Sequence, residues 1–227
     1  MQAVIRIALV SSVLAACGSS PAVTPDSGGG GSNDAGSGEG GFYVHWWSDP
    51  KLPGSVGNNA TVTSATFRLT TLRVIGDADA GDDRTTKDGV TLDWDSDGYP
   101  DVSSFHDAPS GLYSKIAIAL NGLIVQDSYD IEGTVNVGGS GATQGFKIHD
   151  IVPMNISLDI DNTLQPGSAV DVTVHIDFTS AIGVIDFSTL DTDDGKLDLD
   201  TLDSQMPAFR TELQNSFMVA NATTPPQ

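Results

Sequence analysis

From Val170 to Phe178 apolar and polar residues alternate without a break. Val170, Val172, Val174, Ile176 and Phe178 share one face, and Asp171, Thr173, His175 and Asp177 share the other. A period of two belongs to a strand with one buried face, because successive side chains leave a pleated backbone on opposite sides. Similar alternation runs through Thr66–Ile75, Leu112–Leu120 (Leu112, Ile116, Ile118, Leu120), Tyr129–Val137 (Ile131, Val135, Val137) and Ile156–Ile160. Shorter stretches at Phe42–Trp47, Val90–Trp94, Phe146–Ile151 and Lys196–Leu199 fit the same template. Such strands, divided by turn residues about every ten positions, predict an all-β antiparallel sandwich or barrel.

The pattern changes period once. Met206, Phe209, Leu213 and Phe217 recur at helical spacing, with Pro207 in the first turn and Asp203 or Ser204 as cap. This predicts one short C-terminal helix whose apolar stripe joins the core. Residues 42–220 then form a single β-sandwich domain, and 221–227, which hold two prolines, form a frayed tail.

Two segments before residue 42 do not fit a core. Arg6 precedes an apolar run, Ile7–Ala16, too short to span a bilayer that needs ~20 residues. The run ends in Leu14-Ala15-Ala16-Cys17, a cleavage and acylation box. Residues 1–16 are therefore expected to be a removed lipoprotein signal peptide, with Cys17 carrying acyl chains into the lipid bilayer. Gly18 and Ser19, in place of Asp, favour the outer membrane of the cell envelope. Between Gly28 and Gly41 eight of fourteen residues are Gly, so 17–41 read as a lipidated Cys followed by a Gly/Ser-rich linker.

Charge narrows the partners. After removal of the signal, nine Lys and Arg face 30 Asp and Glu, a net charge of −21. That excludes nucleic acid, whose phosphates need basic clusters, and favours metal cations or a protein or glycan partner. Of the 30 acids 27 are Asp, a residue of turns and caps. Cys17 is the sole cysteine, so the fold has no disulfide and stands on its core.

One stretch has the chemistry of an oxygen-ligand calcium loop. In Asp93-Trp94-Asp95-Ser96-Asp97-Gly98-Tyr99-Pro100-Asp101, carboxylates stand at positions one, three, five and nine, Gly98 permits a turn at six, and Tyr99 offers a carbonyl at seven. The spacing resembles the loops of dockerin and thrombospondin type 3 repeats. Ser104 replaces the bidentate Glu at position twelve, so the expected affinity is weak, of order 10⁻⁴ to 10⁻³ M. A solvated acidic turn is the competing expectation. Asp193-Asp194-Gly195 reads as a hairpin turn rather than a metal site.

His45, His106, His149 and His175 are the candidates for a copper or zinc site, and three have Asp as neighbour or next neighbour: Asp107, Asp150 and Asp177. Structural or solvated roles are the simpler expectation for all four. Phe42-Tyr43-Val44-His45-Trp46-Trp47 reads as a first strand covered on both faces, with a sugar or peptide platform as the alternative. No nucleophile elbow, zinc-protease helix or phosphate loop is present, which leaves a hydrolase built from scattered Ser, His and Asp as a third-ranked reading.

Ala108-Pro109-Ser110-Gly111-Leu112-Tyr113-Ser114-Lys115-Ile116-Ala117-Ile118, with the later Leu164-Gln165-Pro166-Gly167 turn, resembles a strand opening in uncharacterised bacterial lipoprotein β-sandwich domains. The resemblance covers residues 62–190. It implies an immunoglobulin-like sandwich on the envelope and supplies no enzyme activity. The same Gly-x-Tyr strand is also similar to methanobactin-associated periplasmic copper proteins, but no copper ligands of that family map onto this chain. The sequence therefore leads to a non-catalytic, tethered binding or structural domain with calcium at Asp93–Asp101, and second to a copper or zinc carrier.

Overall fold

A computed structural model describes residues 40–77, 82–121, 126–138 and 142–220. The expected signal peptide (1–16), Cys17, most of the expected linker and the expected tail (221–227) lie outside the described residues. In chain order the elements are β1 (Gly41–Asp49), β2 (Gly54–Ser55), β3 (Ala60–Gly76), a 3-10 turn (Asp83–Thr85), β4 (Thr86–Trp94), β5 (Ser103–Phe105) and β6 (Gly111–Leu120). There follow β7 (Tyr129–Val135), β8 (Gln144–Asp150), β9 (Met154–Leu164), β10 (Ala169–Asp177), α1 (Phe178–Ile182), a second 3-10 turn (Phe187–Thr189), β11 (Asp191–Asp193), β12 (Lys196–Leu199), α2 (Met206–Ser216) and β13 (Phe217–Val219).

The strands form two sheets. A small one runs β13-β10-β1-β5, and a large one runs β11-β12-β8-β7-β3-β6-β9, with β2 and β4 also paired to β3. All nine strands expected from the pattern are present. The pairing corrects the fully antiparallel expectation, because β1 runs parallel to β10 and β12 parallel to β8. Hydrophobic period cannot distinguish these arrangements, since either direction alternates the same faces.

One core joins the sheets. Phe67 of β3 meets Phe217 of β13 at 5.5 Å between ring centroids, and Phe42 of β1 meets Tyr113 of β6 at 5.1 Å. Each fully buried Phe contributes about 1.5–3 kcal/mol relative to an exposed one, so such ring pairs are a main tie between the layers. Gly133 permits a further close approach. A Cβ there would lie 2.2 Å from the Thr61 carbonyl oxygen and 2.4 Å from Phe146 Cζ.

Local details depart from the simple pattern for physical reasons. The register of β6 against β9 shifts between Tyr113 and Lys115, so Tyr113 takes the core position and Leu112 is 41% exposed. Phe178 leaves its strand to begin α1, because Asp177 Oδ1 accepts the N–H of Thr179 and Ser180 and caps a helix. The cap residue of α2 is Gln205 rather than Asp203 or Ser204. Asp203 instead accepts Gln205 N–H at 2.7 Å. Met206, Phe209, Leu213 and Phe217 are buried as expected, but β13 follows α2, so the helix is not the last element.

The excess of Asp over Glu has a structural use. Asp82, Asp95, Asp177, Asp186 and Asp200 each accept a backbone N–H two residues ahead. The short Asp side chain satisfies turn and helix-start donors that a longer Glu would overshoot. Asp194 and Gly195, with φ of 46° and 80°, form the two-residue turn between β11 and β12, as the sequence predicts. Among the described residues no helix is long and apolar enough to cross a membrane.

Candidate functional site

The acidic loop follows β4 and leaves an open cleft of about 290 Å³ lined by Asp93, Asp95, Asp97, Gly98, Tyr99 and Asp101. Asp95 Oδ1 is turned into the loop, where it accepts Asp97 N–H at 2.7 Å and Gly98 N–H at 3.3 Å. Asp93 Oδ1 accepts the Thr66 hydroxyl at 2.7 Å across the β3–β4 pair. The residues therefore surround one hollow, yet no three carboxylates of the loop fall within 4.8 Å of one another among the described residues. The backbone turn is formed while the oxygens stand apart, the arrangement of like charges held in water.

The histidines are paired, though not with their sequence neighbours. His149 Nδ1 lies 3.3 Å from Asp127 Oδ2, and its Nε2 lies 3.3 Å from Asp198 Oδ1. Asp150, beside it in sequence, points to the opposite face of β8 and into the core, as a period of two demands. His45 Nε2 meets Asp171 Oδ1 at 2.7 Å across β1 and β10. Asp177 caps α1 rather than orienting His175, whose ring packs on Trp47 at 5.6 Å. His106 approaches Tyr43, with Nδ1 and the phenol oxygen 3.3 Å apart.

Asp127, Asp130 and His149 form the one group at metal-ligand spacing among the described residues. Arg68 donates to Asp130 Oδ2 at 2.6 Å, and Lys147 Nζ stands 3.3 Å from Asp130 Oδ1. Burial opposes ionisation of Asp130, yet these two cations hold its carboxyl below the usual range. Asp198 moves the other way. Burial raises it, and the repulsion of Asp200 and Asp193 adds to that, against the attraction of His149 and Lys147. The cluster is a mixed ion network around β7, β8 and β12, in which Asp130 is already matched by two fixed cations while Asp127 and Asp198 share His149.

The first strand shows one face to the core and one half-exposed face, which corrects the expectation of burial on both sides. Phe42, Val44 and Trp46 are buried, whereas Tyr43, His45 and Trp47 are half-buried. Only the inner face is covered by the large sheet.

A second hollow has no contiguous signature in the sequence. A cleft of about 380 Å³ opens where three connections meet: 56–59 before β3, 136–138 after β7, and 183–188 after α1. Asn58 Nδ2 donates to Gly183 O at 3.0 Å, and Asn136 N–H donates to Asn59 O at 3.1 Å, so the three segments are stitched together. Gln205 fastens the third to α2 by accepting Asp186 N–H at 2.7 Å and donating to Asp186 O at 3.2 Å. Asn58 and Asn59 hold φ of 48° and 57°, left-handed backbone that Asn tolerates better than other side chains. The Asn58-Asn59 pair is the only signal of it along the chain, visible as a turn but not as a site.

Comparison of the chain with protein-family models, curated protein sequences and solved structures finds no match. Any functional reading therefore rests on the residues of this chain and on the geometry they form.

Proposed function

We propose that this chain is an envelope lipoprotein: an immunoglobulin-like β-sandwich, tethered to the outer membrane through acylated Cys17, that works by binding rather than by catalysis. The observation that carries the reading is the box Leu14-Ala15-Ala16-Cys17, followed by a Gly-rich segment and then by a domain whose two sheets share one core. The sandwich type is supported by Tyr113, whose hydroxyl donates to Pro109 O at 2.7 Å, the corner in which a tyrosine ties a strand opening back to its own turn. The binding role is supported by the preorganised three-loop cleft, since loops on a rigid scaffold are the usual seat of recognition.

Phase partition in a nonionic detergent tests the anchor. The full chain, expressed in a Gram-negative host, is expected in the detergent phase, and Cys17→Ser in the aqueous phase. Identical partition of the two would sink the reading.

A metal carrier is the second reading, and the Asp127, Asp130 and His149 group favours it. It requires one tightly held zinc or copper per chain, lost in His149→Gln, as measured by equilibrium dialysis with metal analysis. Arg68 and Lys147 at Asp130 place it second, because a divalent cation there meets two fixed positive charges.

A further inference from the structure

The two sheets end on strands of very different length. Their outer strands β5, β11 and β13 have three residues each, whereas β9 has eleven and, among the described residues, pairs with β6 alone. A long free edge invites another strand, and folded proteins commonly blunt it with Lys, Pro or a kink. β4, the other long strand with a single partner, carries Lys87 and a left-handed Gly89 at φ 67°. β9 has neither Lys nor Pro, and its one irregularity is the extra residue between Asp159 and Asn162.

A hollow of about 660 Å³ runs along this edge. It is lined by every residue from Ser157 to Asn162 and, across from them, by Met218 and Val219 of β13. Successive residues of a strand face opposite ways, so a hollow that touches six in a row lies beside the backbone rather than over one face. In an antiparallel pair every second residue turns its N–H and C=O away from the partner strand. Asn155 is one of these, since its C=O accepts Gln214 Nε2 of α2 at 2.7 Å. Ser157 and Asp159 follow on the same side, with no strand against them. The edge is closed at its start and open where the hollow begins.

The side chains say which strand fits. Leu158 is buried, Ile160 and Val219 are half-buried and Met218 is 41% exposed, so one wall of the gap is apolar. The alternate positions Ser157, Asp159 and Asp161 are exposed. Asp159 meets Lys115 at 2.9 Å, and Asp161 has no cation partner among the described residues. A strand laid here places every second side chain against the apolar wall and the others beside two carboxylates. A second copy of the chain would bring its own Asp159 and Asp161 to that stretch, where like charges across a strand pair are destabilising, and a chain charge of −20 opposes its approach. A basic strand meets attraction instead.

We propose that the free edge of β9 is a strand-addition site that takes an extended segment of a partner protein in which apolar and basic residues alternate. The added backbone bonds to Ser157 and Asp159, its apolar side chains enter the gap between β9 and β13, and its cations lie beside Asp159 and Asp161. This gives the binding role proposed above a partner and rests on that role, not on the anchor.

Fluorescence anisotropy of the dye-labelled peptide Val-Lys-Val-Lys-Val-Lys-Val, titrated with the purified full chain at physiological salt, tests it. Binding is expected. The Val-Glu counterpart is expected not to bind, nor is the fully N-methylated Val-Lys peptide, which keeps charge and side chains but has no N–H to join a ladder. Asp161→Lys is expected to weaken binding about threefold or more, because an attraction between exposed charges becomes a repulsion. Asp191→Lys, the same change of charge on an exposed residue of β11, is expected to bind as the parent does, and both variants to keep the parent's thermal midpoint. Equal binding by the two variants, or binding of the N-methylated or Val-Glu peptide, shows general attraction rather than strand addition and overturns the proposal, as does no binding of the Val-Lys peptide. Sedimentation of the full chain alone as a dimer that Ile160→Lys separates gives the edge to a second copy and overturns the partner. In each case the Cys17→Ser partition judges the anchor on its own.

Discussion

Arg210 of α2 grips the carboxylate of Asp150, the last residue of β8, through two parallel hydrogen bonds that span 60 positions of sequence. Asp150 is fully buried, and its remaining capacity is filled by the Thr201 hydroxyl, the Tyr129 hydroxyl and the Val152 N–H. Burial alone would push this carboxyl up, and the donors around it hold it below the ordinary value instead. Burial, with the Asp150 charge beside it, pushes the Tyr129 hydroxyl far above its usual range, so it remains a neutral donor. The pair fastens α2 to the large sheet.

Removing Arg210 strands a buried charge, which costs more than the pair itself contributes. Arg210→Ala is expected to lower stability by about 3 kcal/mol, at the low end for broken buried pairs because the guanidinium is partly exposed. Urea unfolding checks this. A loss under about 1 kcal/mol would show that water replaces the guanidinium freely.

Acid should unfold the domain through the same groups. Asp130 and Asp150 both have folded values below 3.8, so the unfolded chain binds more protons in that window and stability rises with pH across it. Their contribution is complete above the unfolded value and is lost as pH falls through the folded ones. Asp198, with a raised value, acts in the opposite sense and subtracts stability as pH climbs from 3.8 through its folded value. Thermal midpoints followed between about pH 2 and 6 should fall on the acid side, and less steeply in Asp130→Asn. Identical acid limbs for variant and parent would rule out that attribution.

Calcium in the millimolar range is expected to raise the thermal midpoint, and a chelator to reverse it, if Asp93, Asp95, Asp97, Tyr99 and Asp101 close on an ion. Asp95→Asn is the informative variant. Asn keeps an oxygen for the N–H groups of Asp97 and Gly98, so the turn survives while a ligand charge is lost. The parent should respond to calcium and the variant should not; equal responses would remove the loop from consideration.

Much of this architecture is legible in the order of residues alone. Alternation locates nine strands because one buried face per strand writes itself into every second residue. β2, β5, β11 and β13 escape it: each is two or three residues long, too short to display a period. The bulge that turns Tyr113 inward and Leu112 outward is hidden for a related reason, since a single extra residue inverts the facing of everything beside it.

Candidate chemistry is less legible. The acidic loop, the Asp194-Gly195 turn and the Leu14-Ala15-Ala16-Cys17 stretch are contiguous, so local sequence carries them. His149 with Asp127 and Asp198, His45 with Asp171, and the joining of Asn58 to Gly183 are not. Neighbouring residues of a strand face opposite ways, so the Asp beside a His is the wrong partner and the right one comes from another strand. Composition, period and local turn chemistry were the sequence's own to determine, because each depends on a few adjacent residues. Strand direction, register and the meeting of three distant loops were decided only by the tertiary structure, because they depend on which faces pack together once the core closes.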